Sequence, residues 1–336
     1  MIYIKSFLLS VLVTVGLYSS YSDCKKGVIR NQIVIIGLVC AVVGNTIYFI
    51  IDQSNGLCSY LMNMLSAIII SFLMYLLNIW AGGDVKLFIV SAALVPTDFL
   101  KQKIPLPEVI IFIIIFSVAF LYILVQSFFF FIRKEKVPFH KTEISLIKII
   151  ACFLFIMAVQ SLLHILFNSI YGEYIGVFCF FNIIFVLIYG KLDFLSSKIS
   201  IIVCSIICTV DIGLSIYYGR IAFDYRSFLV LLMVVLFRLL AGRYNYQEIK
   251  TKDIKPGMIL AFSTVLQFSK SRVKGLPMTA TEDMSARITK EEADSVIRWA
   301  DTKNGKDTII ILRKIPFAVF IWAGYIIYCI LGIILW

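Results

Sequence analysis

The sequence predicts an all-α polytopic membrane protein of about nine to ten transmembrane helices, with a small α+β subdomain facing the cytoplasm. Three observations predict it. Of 336 residues, 61% are apolar and 15% charged, with mean hydropathy +0.96, against about 45–50% apolar in an average soluble domain. Stretches of about eighteen or more nearly uncharged residues recur from end to end, each long enough to cross roughly 30 Å of hydrocarbon. Lys and Arg collect in alternate loops, as the positive-inside rule requires. A soluble enzyme, a collagen-like chain, a disulfide-rich secreted module and a disordered protein are all excluded.

Taken in order, the apolar runs predict spans near 2–22, 32–51, 60–80, 85–100, 107–132, 144–167, 174–190, 199–218, 227–241 and 316–336. The first has the look of a signal peptide, but no small-residue cleavage site follows its apolar core. Pro96 interrupts the fourth and Lys101 closes it early, since proline removes a backbone donor and clashes with the preceding turn. These spans divide the chain into a membrane core at 1–132, additional transmembrane helices at 133–241, a cytoplasmic subdomain at 242–315 and a C-terminal transmembrane helix at 316–336.

Charge sets the expected orientation. With the N-terminus outside, the loops at 23–31, 82–86, 133–143, 191–198 and 242–315, together with Lys148, hold 25 of the 31 Lys and Arg, and the outer side holds five. Long loops weigh little in this rule, yet without 242–315 the ratio is still 11 to 5. The net charge of +11 is therefore read as orientation against a lipid bilayer and not as a nucleic-acid surface. Arg133, Lys134 and Lys136 form a headgroup-facing loop.

Residues 242–315 are the sizeable water-facing piece. Asp253 to Leu260 reads as a turn entering a strand. Thr289, with Glu292 three residues on, is a capping box that opens a helix through Trp299 and Ala300. Asn304-Gly305 turns the chain into the β-branched run Asp307–Leu312. The expectation is a β-rich subdomain with one helix.

Two aspartates carry the chemistry. Asp23 follows the first span and Asp84 the third, so an odd number of crossings precedes each and both fall on one side of the membrane. Asp84 ends Ala81-Gly82-Gly83-Asp84, and the paired glycines are expected to allow close helix approach and positive φ. Ionisable residues at the membrane boundary are costly and so are functional candidates. Two carboxylates brought together share one proton, because like charges a few ångströms apart cannot both ionise. One can then take a proton from water while the other polarises a peptide carbonyl.

Other chemistries lack their residues. No Gly-x-Ser-x-Gly elbow and no His-Glu-x-x-His occurs, and the histidines are His140 and His164. Six of the eight cysteines (Cys40, Cys152, Cys179, Cys204, Cys208 and Cys329) lie in apolar runs. Cys204 and Cys208 share a helix face, but two ligands make a poor metal site. No metal and no cofactor is expected. Asp193, Asp211 and Asp224 are further acids in or near spans, with Asp211, the deepest, read as a hydrogen-bonded structural acid.

The segment Asp23-Cys-Lys-Lys-Gly-Val-Ile-Arg-Asn31 resembles the Asp…Ile-Pro-Asn segment of type IV prepilin and preflagellin peptidases. Gly82-Gly83-Asp84-Val85-Lys86-Leu87 resembles their GxGD-Val-Lys signature. The resemblance covers roughly residues 1–130, and Arg313-Lys-Ile-Pro-Phe-Ala318 is similar to the family's Pro-Phe helix. It implies a membrane-embedded aspartic endopeptidase that cleaves the leader of pilin-like, membrane-inserted precursors at the cytoplasmic face. Asp23 and Asp84 would be catalytic, supported by Gly82, Gly83, Lys86 and Asn31. Lys86 would either tune the pair or anchor headgroups, and Asn31 would cap the second span or touch substrate. Ala81 stands where the family has the first glycine of GxGD, and Arg30 where it has proline. The chain enters the membrane without a paired-cysteine domain, so cleavage without N-methylation is expected. A transporter or channel, or an inactive relative serving as a secretion-system partner, are the competing readings.

The orientation is directly testable. Tags at the N-terminus and at residue 54 should be accessible outside intact cells, and a tag near 283 protected; an accessible 283 would invert the topology.

Overall fold

The computed structural model describes residues 2–51, 56–77, 79–100, 106–133, 151, 154–159, 161–162, 198–217, 246–269, 271–278, 286–303, 305–312 and 315–335. The protein is a multi-pass helical membrane protein with a small α+β part. Among the described residues the named helices are α1 (Ile2–Lys26), α2 (Asn31–Ile51), α3 (Leu57–Leu76), α4 (Gly82–Leu94), α5 (Pro107–Arg133), α6 (Lys198–Tyr217), α7 (Phe262–Phe268), α8 (Lys290–Ala300) and α9 (Phe317–Leu335). The strands are β1 (Tyr246–Lys250) and β2 (Thr308–Leu312). Among the described residues, α1, α2, α3 and α5 are long and apolar enough to cross a membrane, and α6 and α9 contain shorter apolar stretches. The expected spans at 174–190 and 227–241 lie outside the described residues, as does most of 144–167.

Helix follows from the bilayer itself, since hydrocarbon offers no partner to a backbone N–H or C=O and only internally bonded segments are tolerated. The fourth span departs from expectation. α4 stops at Leu94, Val95 is extended, and a single 3₁₀ turn at Thr97–Phe99 follows Pro96. A residue before proline is pushed out of the helical region, and thirteen residues rise only about 20 Å. α4 reaches about two-thirds of the way across and is not the span predicted at 85–100.

One core joins α1 to α5 with α9. Helix α9, far away in sequence, packs against α1, α4 and α5. Close approach depends on small residues, as is common between membrane helices. A Cβ on Gly16 would lie 1.9 Å from the Trp322 ring, and one on Gly324 would lie 2.3 Å from Ile115. Trp80, 1% exposed, sits where these helices meet; its ring lies 5.1 Å from Phe88, 5.9 Å from Phe112 and 5.8 Å from Phe317.

A second core belongs to the α+β part. β1 and β2 pair antiparallel, with Tyr246 opposite Leu312 and Lys250 opposite Thr308. Trp299 and Val296 of α8 pack on Ile309, Ile311 and Phe268, and the Phe268 and Trp299 rings meet edge-on at 4.8 Å. The predicted α8 cap is present: the Thr289 hydroxyl accepts from Glu292 N–H, and the Glu292 carboxylate accepts from Thr289 N–H at 2.8 Å. The unit is less β-rich than expected. Ile259 and Leu260 make only isolated bridges, to Arg287 and Ile311, because Ala261 caps the start of the unpredicted α7.

Gly16→Ala should lower the apparent melting temperature of purified protein in detergent, a cost of about 1–3 kcal/mol for an overpacked contact. Gly213→Ala, where an added Cβ meets nothing within 4 Å, should leave it unchanged or raise it. Equal behaviour of the two variants would contradict the α1–α9 packing.

Candidate active site

Asp23 lies in the last turn of α1 and is 6% exposed. The helix ends on Gly27, whose φ of +66° is left-handed, a conformation that costs a non-glycine residue about 1–2 kcal/mol. Gly27 N–H donates to the Asp23 carbonyl at 2.8 Å, answering one of the unsatisfied carbonyls of the helix end. Ser22 then pins the reversed chain by donating from its hydroxyl to Val28 C=O at 2.7 Å. This fold-back lays Ile29 and Asn31 beside α4.

Asp84 stands in the first turn of α4 and is 7% exposed. Its Oδ2 accepts from Ala81 N–H at 3.1 Å, satisfying a donor at a helix N-terminus, where negative charge is favoured. Gly83 is where α4 touches the Asp23 turn, since a Cβ there would lie 3.2 Å from Ile29 Cβ. Gly82 meets nothing within 4 Å. Neither glycine has the positive φ expected of it; both are helical, and at this site that conformation falls to Gly27. Lys86 Nζ donates to Asn31 Oδ1 at 3.1 Å on the exposed surface. The two supporting side chains are thus partners of each other, tying the start of α2 to α4.

The third wall is α9. Ala318 N–H, in the first turn of α9, points at Asp23 Oδ2 across a long 3.4 Å. Phe317 beside it packs on Trp80, just before Ala81. The structure therefore gathers Asp23, Asp84, Gly83, Lys86 and Asn31 at one end of the helical core, where the α1 turn and the starts of α4 and α9 converge. Asp211 lies elsewhere, 6% exposed and accepting from the Ser161 hydroxyl at 2.8 Å. His140, His164, Asp193 and Asp224 lie outside the described residues.

Residues 10–127 match the model of the type IV leader peptidase family. Over this segment the chain is similar to that family. The matched residues run from within α1 into α5 and contain both aspartates. No curated protein and no solved structure matches the chain.

Two contributions escape a reading of the sequence. Ala318 comes from 295 positions beyond Asp23, and only the Pro316-Phe317 entry to the last span hinted at it. Glu108, 0% exposed and held by Asn63 and Tyr325, heads an apolar run of α5. An acid in such a place is a candidate in its own right.

Gly27→Ala should lower the apparent melting temperature, by the equivalent of about 1–2 kcal/mol, and Gly27→Asn by less, because asparagine tolerates the left-handed region better. A Gly27→Ala protein as stable as wild type would refute the role given to the turn.

Proposed function

We propose that this leader peptidase relative is a membrane aspartic endopeptidase that cleaves leader peptides of pilin-like or other membrane-inserted precursors at the cytoplasmic face. The observation that carries the reading is the burial of both Asp23 and Asp84 at one end of the core, within the matched segment.

Each carboxylate has one oxygen set on a main-chain N–H, Asp23 on Ala318 and Asp84 on Ala81. Fixed in this way, the pair does not reorganise to bind. One carboxylate, ionised, takes the proton of a water molecule as that water attacks the scissile carbonyl carbon. The other, protonated, donates to the carbonyl oxygen and stabilises the charge developing there. The first acid then gives its proton to the leaving amine while the second takes one back from a hydroxyl of the tetrahedral intermediate, so both acids return to their starting protonation. Neither step needs a covalent intermediate.

The excess of Lys and Arg in loops on the side of the aspartates supports a cytoplasmic site. The leader would then reach it from the compartment where precursors are made. On this reading the chain lies in the cell membrane with its N-terminus outside and residues 242–315 in the cytoplasm.

Asp23→Asn and Asp84→Asn should each abolish cleavage of a co-expressed pilin-like precursor while the protein still inserts. Loss of one proton-transfer group costs about 10²–10⁴ in rate, and half of a shared-proton pair belongs at the upper end or beyond. The double variant should be no worse than either single one, as groups acting as a unit are non-additive. Asp211→Asn should keep most activity. Near-normal leader cleavage by Asp23→Asn, read by mass analysis, would overturn the assignment.

A further inference from the structure

Below the proposed site the core holds a buried polar network that the proteolytic chemistry does not use. Glu108 opens α5 and is 0% exposed; its partners Tyr325 of α9 and Asn63 of α3 are 0% and 1% exposed. Asn63 Nδ2 donates to Glu108 Oε1 at 2.9 Å. Glu108 Oε2 lies 2.6 Å from the Tyr325 hydroxyl, and that hydroxyl lies 3.1 Å from Phe88 C=O. The cluster sits in an apolar shell that includes Trp80, Phe88, Phe112 and Leu87.

A count of hydrogens bears on how this network is wired. Three contacts need three hydrogens. Asn63 supplies one, and a tyrosine hydroxyl has one to give. Tyr325 approaches two oxygens, so a single hydrogen cannot serve both. Each contact has a hydrogen of its own when the Glu108 carboxyl donates to Tyr325 and Tyr325 donates to Phe88 C=O. A carboxylate without its hydrogen would leave the Phe88 contact as two oxygens facing each other, in a shell where an unmatched polar group is costly.

The partners give the network its purpose. Phe88 lies one helical turn beyond Asp84 on α4, and Tyr325 lies two turns beyond Ala318 on α9, whose N–H faces Asp23. Asn63 adds α3 to the same point. We propose that Glu108, as a hydrogen-bond donor, is a positioning residue that braces α4 against α9 and so fixes the separation of the two aspartates. The proposal rests on the aspartic-pair reading for its effect on rate, and on the geometry alone for its wiring.

The test uses full-length protein in detergent or liposomes, with a pilin-like precursor as substrate. Glu108→Gln keeps the pattern, because the amide nitrogen donates to Tyr325 and the amide oxygen accepts from Asn63. It should retain most of wild-type kcat. Glu108→Ala and Tyr325→Phe should lower kcat about 10- to 100-fold with little change in KM, as expected for misplaced catalytic groups. Their combination should be no worse than the more severe single variant. The infrared spectrum of wild-type protein should carry the C=O band of a protonated carboxyl that is missing in Glu108→Gln, a readout independent of activity.

Glu108→Gln as impaired as Glu108→Ala, or Glu108→Ala at full activity, would overturn the proposal while Asp23→Asn remains inactive. If Asp23→Asn is itself active, the proteolytic reading fails, and the infrared band alone decides the wiring. Should Glu108→Ala not fold, Tyr325→Phe and Glu108→Gln still separate the outcomes.

Discussion

A helix that ends inside a membrane protein leaves main-chain N–H groups with no water to satisfy them, and this constraint organises the core. Two such ends meet here, the start of α4 and the start of α9. Each is answered by an aspartate, Asp84 on its own helix and Asp23 from α1. An acid in this position stabilises the fold modestly, by about 0.3–1 kcal/mol where exposed and more where buried. The same hydrogen bonds fix the orientation of the two side chains on which hydrolysis would depend. Structural and chemical demands on Asp23 and Asp84 therefore coincide, and a stability measurement alone would not distinguish them.

Much of this was legible in the sequence. Apolar length gives α1, α2, α3 and α5 directly, because about 30 Å of hydrocarbon imposes it on any spanning helix. The Thr289–Glu292 cap was legible because its donors and acceptors lie three residues apart. Parity put Asp23 and Asp84 on one side, and Gly83 on Ile29 makes the junction between their segments physical. What escaped is non-local or subtractive. Pro96 signals an interruption, but that α4 would remain a short helix depends on the packing of Thr97–Phe99 against its neighbours, including the Tyr328 hydroxyl on Phe99 C=O. The contribution of α9 needs a contact across nearly the whole chain. Glu108 reads as a boundary residue until Asn63 and Tyr325 surround it.

The glycines teach the same lesson at smaller scale. A Gly-Gly-Asp run invites a conformational argument, yet the left-handed residue at the site is Gly27, which follows two lysines in the Asp23–Asn31 segment. Of the two motif glycines, Gly83 is needed for the space it vacates, whereas Gly82 faces open space. Residues in a shared motif can thus act through unrelated physics.

The join between the two cores has a consequence for how a substrate would be handled. β2 ends at Leu312 and α9 begins at Phe317, and five residue steps reach at most about 18 Å. The helix end facing Asp23 is thus leashed to the ribbon of the α+β part. A peptide segment resting on that part would be confined near the carboxylates at an effective concentration on the order of millimolar. Even a grip too weak to detect in free solution would then be enough to raise occupancy of the site.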